Sequence, residues 1–133
     1  MQSHESTVRV RYAETDQMGV AYYANYFIWM EVGRVEYCDA LGFRYREMEA
    51  VDGVLLAVVE AHCRYLAPAR YDDEVIIKTW TEAVAPRMVR FGYEMRLGGG
   101  RVLATGETKH VFCGRGLKPR KLPEKYRSLF GIA

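Results

Sequence analysis

The sequence predicts an α+β layer architecture in which an antiparallel five-stranded sheet wraps around one long helix. Three features carry that reading: an alternating segment near the N-terminus, one proline-free stretch with aromatic and apolar residues at helical spacing, and four strand-like runs through most of the remaining chain.

The first element is STVRVRYA, residues 6 to 13, whose polar and apolar side chains alternate as in a half-buried strand, with Val8, Val10 and Tyr12 on one face. A loop containing Gly19 follows. From Tyr22 to about Leu41, residues Tyr22, Tyr26, Trp29, Met30, Gly33, Tyr37 and Leu41 recur at spacings of three and four, which predicts the one long helix. Gly42 is its stop signal, because glycine readily takes the left-handed conformation that ends helices. Apolar residues nearly all round this helix imply that other structure encloses it. RYREMEAVDG, residues 44 to 53, is a weaker segment, after which four strands are expected over Val54 to Leu66, Glu74 to Ala83, Val89 to Leu97 and Val102 to Cys113. The turns between them are APARYDD, the region of Pro86, and Gly98, Gly99 and Gly100, so the last three strands form a meander. PEKYRSLFG, residues 123 to 131, reads as a terminal helical turn between Pro123 and Gly131. Ala104, Gly106 and Thr108 alternate along the last strand, small enough for the helix to approach closely.

The chain has 133 residues, half of them hydrophobic, which fits one domain, residues 1 to 133, with a sizeable core. Its N-terminus lacks the apolar run of a signal peptide, and no stretch approaches the roughly 18 apolar residues of a membrane span, so a cytoplasmic protein without membrane partners is expected. The three cysteines include no CxxC pair, which points to neither a disulfide framework nor a zinc knuckle. A net charge of +2 is too small to imply nucleic-acid binding, but residues 109 to 127 hold seven Lys and Arg against Glu124 alone, leaving the remainder acidic. This basic end is either a phosphate-binding surface or a solvated tail. An exposed sheet edge invites pairing, so a homodimer at least is expected.

The most informative stretch is YAETDQMGVAYYANYFIWMEVGR, residues 12 to 34, which sets Asp16 on a turn-rich loop just before the helix. A helix start offers unpaired backbone N–H groups and about half a positive charge, a setting that holds a developing oxyanion while the carboxylate activates a nucleophile. The pairing points to acyl-group hydrolysis.

Tyr12, Thr15, Asp16, Gly19, Tyr22, Asn25, Tyr26, Glu31 and Arg34, together with RYLAPARYDD at 64 to 73, resemble the hotdog-fold acyl-CoA thioesterases of the 4-hydroxybenzoyl-CoA thioesterase and YbgC-like type. The resemblance covers nearly the whole chain. It implies a hotdog fold, a homodimer whose sheets join edge to edge, active sites at the subunit interface, and a dimer of dimers, that is a homotetramer. It also implies that Asp16 is the catalytic carboxylate, as nucleophile on the thioester carbonyl or as general base on water, and that the backbone N–H of Tyr23 polarises the thioester oxygen. Many YbgC-like members carry histidine where this chain has Tyr23, as the 4-hydroxybenzoyl-CoA branch does. Gly19 and Asn25 fall in the implied substrate-binding loop, where Asn25 either orients the loop through its amide or caps the helix. Either Arg87 and Arg90, which flank the start of one strand, or Arg115, Lys118, Arg120 and Lys121, which follow the last, could bind the phosphates of coenzyme A, a role that the resemblance supports without fixing the side chains. Coenzyme A is part of the substrate, and no separate cofactor is expected.

Other readings are weaker. Glu31 and Arg34 sit three apart, the spacing of a structural ion pair. His62 and Cys63 are adjacent on a strand and point to opposite faces, which argues against a local nucleophile and base. His4, His62 and His110 lack metal-ligand spacing, so no metal is expected. A hydratase of the same fold needs a histidine paired with a carboxylate, and residues 14 to 34 contain none. A thioesterase acting on acyl carrier protein shares the chemistry, and a non-catalytic acyl-CoA binding module shares the pocket.

Overall fold

The computed structural model describes residues 2–131, so the ends of the expected 1–133 domain, residues 1 and 132–133, lie outside the described residues. Strands β1 (Ser3–Arg9), β2 (Leu55–Tyr65), β3 (Glu74–Ala85), β4 (Met88–Leu97) and β5 (Val102–Cys113) form one antiparallel sheet in the order β1-β3-β4-β5-β2. Helix α1 (Asn25–Leu41) packs on one face, with short helices α2 (Tyr45–Ala50) and α3 (Glu124–Phe130). This is the hotdog arrangement.

The meander β3-β4-β5 follows from its turn residues: Pro86 and Arg87 close the first hairpin, and Gly100, with φ +97°, helps close the second. Strand β2 joins outside β5 as an edge, so the chain must cross the end of the sheet to reach β3. That crossing, residues 66–73, runs against the loop before α1, where the Ala21 N–H donates to the Ala69 carbonyl at 2.8 Å.

α1 buries Tyr26, Trp29, Met30, Gly33, Arg34, Tyr37 and Cys38, the stripe that a period of 3.6 places on one side. Gly33 is where helix and sheet come closest: a Cβ there would lie 2.5 Å from Thr79 Oγ1 and 2.9 Å from Ile77 Cγ2. Gly106 on β5 serves Met30 in the same way, as the small residues of that strand predict. Gly42 ends the helix with φ +111°. Three expectations need correction. The helix begins at Asn25, not Tyr22, because Tyr22 to Ala24 form a tighter lead-in whose carbonyls accept from N–H groups three residues on. It is not enclosed on all sides, since Ile28, Glu31, Glu36, Asp39 and Ala40 are exposed. Strand β1 covers Ser3–Arg9 instead of 6 to 13, because Glu14 takes the Arg11 N–H at 2.8 Å and turns Tyr12–Glu14 into a 3₁₀ turn. Val10 stays buried, while Tyr12 swings out to meet the Tyr71 ring at 5.6 Å.

Candidate active site

The segment from Thr15 to Ala21 is a small hairpin. The Gly19 N–H donates to the Asp16 carbonyl and the Asp16 N–H to the Val20 carbonyl, both at 2.9 Å. Gly19, with φ +79°, supplies the left-handed residue that this turn requires. One oxygen of the Asp16 carboxylate accepts the Met18 N–H at 2.9 Å, an Asx turn that fixes the side chain.

Behind this hairpin sits Glu14, a buried carboxylate to which the sequence reading assigns no role. It accepts the Trp29 indole N–H at 3.2 Å and the Arg11 N–H, and its own carbonyl accepts the Tyr22 N–H at 2.7 Å and the Asn25 side-chain amide at 2.9 Å. Burial alone would raise its pKa, but these donors and the Arg11 guanidinium outweigh it and hold the group below the usual carboxylate value. Of the two roles open to Asn25, the geometry is that of the loop-orienting amide, and Ala24 occupies the N-cap position.

A cavity of about 340 Å³ opens beside the hairpin, lined by Asp16, Met18, Val20, Ala21, Tyr23, Tyr26, Tyr65, Leu66, Ala67 and Pro68. The loop before α1 and the crossing after β2 each provide one wall. Asp16 and Tyr23 therefore share a pocket, and among the described residues the N–H groups of Tyr23 and Ala24 donate no hydrogen bond. A carboxylate, an apolar wall and unspent helix-start donors are the parts an acyl-transfer site uses. Tyr65, Leu66, Ala67 and Pro68 come from the RYLAPARYDD stretch, a signal visible in the sequence but without any indication that it faces Asp16.

The basic residues lie elsewhere. Arg87 is in the β3–β4 turn, where its carbonyl accepts the Phe112 N–H at 3.1 Å, and the Arg120 N–H donates to the Phe112 carbonyl at 3.0 Å. Lys118 follows the turn after β5, so Arg87, Lys118 and Arg120 gather at the end of the sheet remote from the Asp16 pocket of the same chain. Arg120 also reaches the Asp52 carbonyl at 3.4 Å. Arg90 stands on the sheet face away from α1 and pairs with Glu107 at 3.3 Å.

A second polar group lies between α1 and the sheet. Thr108 Oγ1 is 2.6 Å from the Tyr93 hydroxyl and 2.8 Å from His110 Nε2, and buried Arg34 pairs at 3.8 Å with the exposed Glu31. Burial, and then the Arg34 charge, push the His110 pKa down to about 4. His62 is exposed and Cys63 half-buried, on opposite faces of β2. Among the described residues no cluster of His, Cys, Asp and Glu is placed to hold a metal ion, and no helix is long and apolar enough to cross a membrane.

Comparison with known proteins bears on the family and the fold. A family model described as the thioesterase-like superfamily matches residues 10–130. A candidate acyl-CoA thioesterase of Bacillus subtilis (strain 168), YneP, is 38% identical over 111 residues, 84% of this chain and 80% of that protein. The acyl-CoA thioesterase YbgC of Haemophilus influenzae is 29% identical over 126 residues, 92% of this chain and 90% of that protein. Among solved structures, the DHNA-CoA thioesterase from Staphylococcus aureus superposes with a TM-score of 0.94 at 31% identity, covering 98% of this chain and 89% of that one.

Proposed function

From the premise that this chain belongs to the thioesterase-like superfamily and is a thioester hydrolase, we propose that it cleaves acyl-CoA to a free carboxylic acid and coenzyme A at the Asp16 pocket. The observation that carries this reading is the shared cavity, in which a fixed carboxylate faces the same space as the start of α1.

In the proposed reaction the acyl group lies against Tyr23, Tyr26, Tyr65 and Pro68. Asp16 delivers the attacking oxygen, either its own or that of a water whose proton it takes, and the Tyr23 N–H receives the charge that develops on the thioester oxygen. The carbon–sulfur bond breaks and coenzyme A leaves as thiolate and takes up a proton; on the general-base route the acid is then free, whereas on the nucleophile route water hydrolyses the acyl–Asp16 anhydride, releasing the acid and restoring the carboxylate. Incorporation of ¹⁸O from solvent into Asp16 during a single turnover separates the nucleophile from the general base. The reaction as proposed uses no metal or dissociable cofactor.

The oligomer matters to this reading. A two-fold axis pairing β2 with its copy makes the two edges antiparallel, so the Tyr65 end of one strand meets the Leu55 end of the other. Leu55 pairs with Cys113, next to the segment bearing Lys118 and Arg120. The basic end of one subunit would then stand beside the acyl pocket of its partner, where Arg87, Lys118 and Arg120 hold the nucleotide phosphates. Exposed Val58 and Val59 on β2 fit such a buried edge. We place the assembly as a homodimer, then a dimer of dimers, in the cytoplasm.

Thiol release measured across short, long and aromatic acyl-CoAs, with matched acyl carrier protein thioesters, tests the reading. Hydrolysis of at least one CoA ester is expected. Coenzyme A binding with every ester left intact would instead indicate a binding module, and cleavage of carrier-protein esters alone would change the substrate class.

A further inference from the structure

Of the hydrogen bonds that hold the start of α1, three bear on its first peptide planes. The Tyr22 N–H donates to the Glu14 carbonyl at 2.7 Å, and the Tyr22 carbonyl accepts the Asn25 N–H at 2.9 Å. The third is different in kind: the Tyr65 hydroxyl, on the last residue of β2, donates to the Tyr23 carbonyl at 2.9 Å. Among the described residues that carbonyl otherwise receives only a long bond of 3.3 Å from the Tyr26 N–H.

Tyr65 is itself fixed by packing. Its ring meets the Tyr26 ring at 4.9 Å and 90°, and the Tyr23 ring at 6.3 Å and 89°, both edge-to-face. Tyr26 is buried in the first turn of α1, and its hydroxyl lies 3.4 Å from the Ala69 N–H. Two elements therefore set the position of the Tyr65 hydroxyl. Local desolvation and the neighbouring Cys63 thiol raise its pKa above the ordinary tyrosine value although the residue stays 43% exposed, and since an ordinary tyrosine is already protonated at neutral pH, the hydroxyl is a donor there.

We propose that Tyr65 is a positioning residue for hydrolysis: its hydroxyl holds the Tyr23–Ala24 peptide so that the N–H groups at the start of α1 meet the thioester oxygen. The physical reason lies in the peptide unit. The Tyr23 carbonyl and the Ala24 N–H belong to one rigid plane, so a donor on the carbonyl fixes the plane's tilt and polarises the N–H at its other side. The tilt of that plane also sets the neighbouring Tyr22–Tyr23 plane through the two torsions of Tyr23. Without the hydroxyl, the carbonyl would rely on the long Tyr26 bond and the lead-in would be free to rock. Ground-state binding uses the tyrosine ring, whereas the transition state uses the donor, so deleting the hydroxyl separates the two.

This inference rests on the proposed thioesterase reading, and the test keeps the two apart. Tyr65→Phe retains the ring and loses only the O–H. Steady-state hydrolysis of the best acyl-CoA ester is expected to show kcat lowered about tenfold, well short of the loss typical for removing an oxyanion donor itself because the N–H groups remain. KM should stay within about twofold and the melting temperature close to that of wild type. Tyr65→Met removes the hydroxyl and the ring together. It should show the same fall in kcat with a raised KM, so the conclusion does not depend on one variant. Equal kcat for wild type and Tyr65→Phe overturns the proposal, as does a loss confined to KM or explained by unfolding. Absence of thiol release by the wild-type enzyme from every CoA and carrier-protein ester would defeat the thioesterase reading itself. A loss in Asp16→Asn without one in Tyr65→Phe would remove only the role of Tyr65.

Discussion

Two polar clusters sit along α1, and they are built to opposite ends. At the start of the helix, Asp16 and Tyr23 line one cavity, next to backbone N–H groups of Tyr23 and Ala24 that donate no hydrogen bond among the described residues, with buried Glu14 bracing the loop from behind. Two turns further on, Arg34, Tyr93, Thr108 and His110 are closed between helix and sheet, with Thr108 bridging tyrosine and histidine. The second cluster has the residue types of an active site, including a histidine, but its functional groups are turned inward and His110 is held neutral by burial beside Arg34. Residue type alone does not make a site. Arg34 Nε and His110 Nδ1 also lack partners, but they are buried; what distinguishes the first cluster is the cavity that its polar groups line.

The largest effect that could break this contrast is at Asp16. Asp16→Asn keeps an oxygen for the Met18 N–H and should fold normally, yet turnover should fall by at least about tenfold, a positioned general base being typically worth about 10²- to 10⁴-fold. Near-normal steady-state hydrolysis by the folded variant would erase the distinction between the clusters.

The closed cluster should announce itself in stability. His110 has a pKa of about 4 in the fold against an ordinary 6.5, so between those values the unfolded chain binds more protons than the folded one. Stability contributed by keeping His110 neutral is therefore complete above about pH 6.5 and is lost as the pH falls toward 4, by up to about 3 kcal/mol. Denaturation midpoints of wild type and His110→Gln across that range measure it, and the variant should lack this component of the acid decline. Parallel curves would mean that His110 does not titrate against Arg34.

A smaller change is expected where the helix meets the sheet. Gly33→Ala would drive a methyl into Thr79 and Ile77, which outweighs alanine's better helix propensity and should lower stability by about 1–2 kcal/mol without touching kcat. An unchanged unfolding midpoint would show that helix and sheet have room to part. The smallest effect belongs to Lys118→Ala. Lys118 is exposed, and loss of the phosphate contact proposed for it should raise KM for coenzyme A esters by about two- to fivefold and leave kcat alone. Pantetheine esters, which lack the nucleotide, should not respond.

Much of this was legible beforehand. β5 matches its expected bounds, and β2, β3 and β4 differ by one or two residues at their ends, because alternation and turn residues act locally. Gly42 and Gly131 stop their helices in the left-handed conformation, as their position after an apolar stripe implies. The failures also have local causes. β1 ends early because a buried Glu14 captures the Arg11 N–H, and no hydropathy pattern marks a glutamate that is to be buried. α1 starts late because its lead-in spends its carbonyls on a tighter turn.

For the site, the loop-to-helix pattern identifies Asp16, Gly19, Tyr23 and Asn25 as neighbours, since all lie within ten residues and a turn keeps them together. The sequence by itself determined the layers, the strand runs and an acid poised before a helix, all of which follow from spacing along the chain. Only the tertiary structure decided that the crossing from β2 to β3 forms the opposite wall, placing Tyr65 on the Tyr23 carbonyl from 42 residues away. It also decided that Arg87, Lys118 and Arg120 collect at the far end of the sheet and that His110 is sealed inside. The reason is topological: contacts between distant segments depend on strand order and on which side chains the pleat turns inward, and neither is contained in any local window of residues.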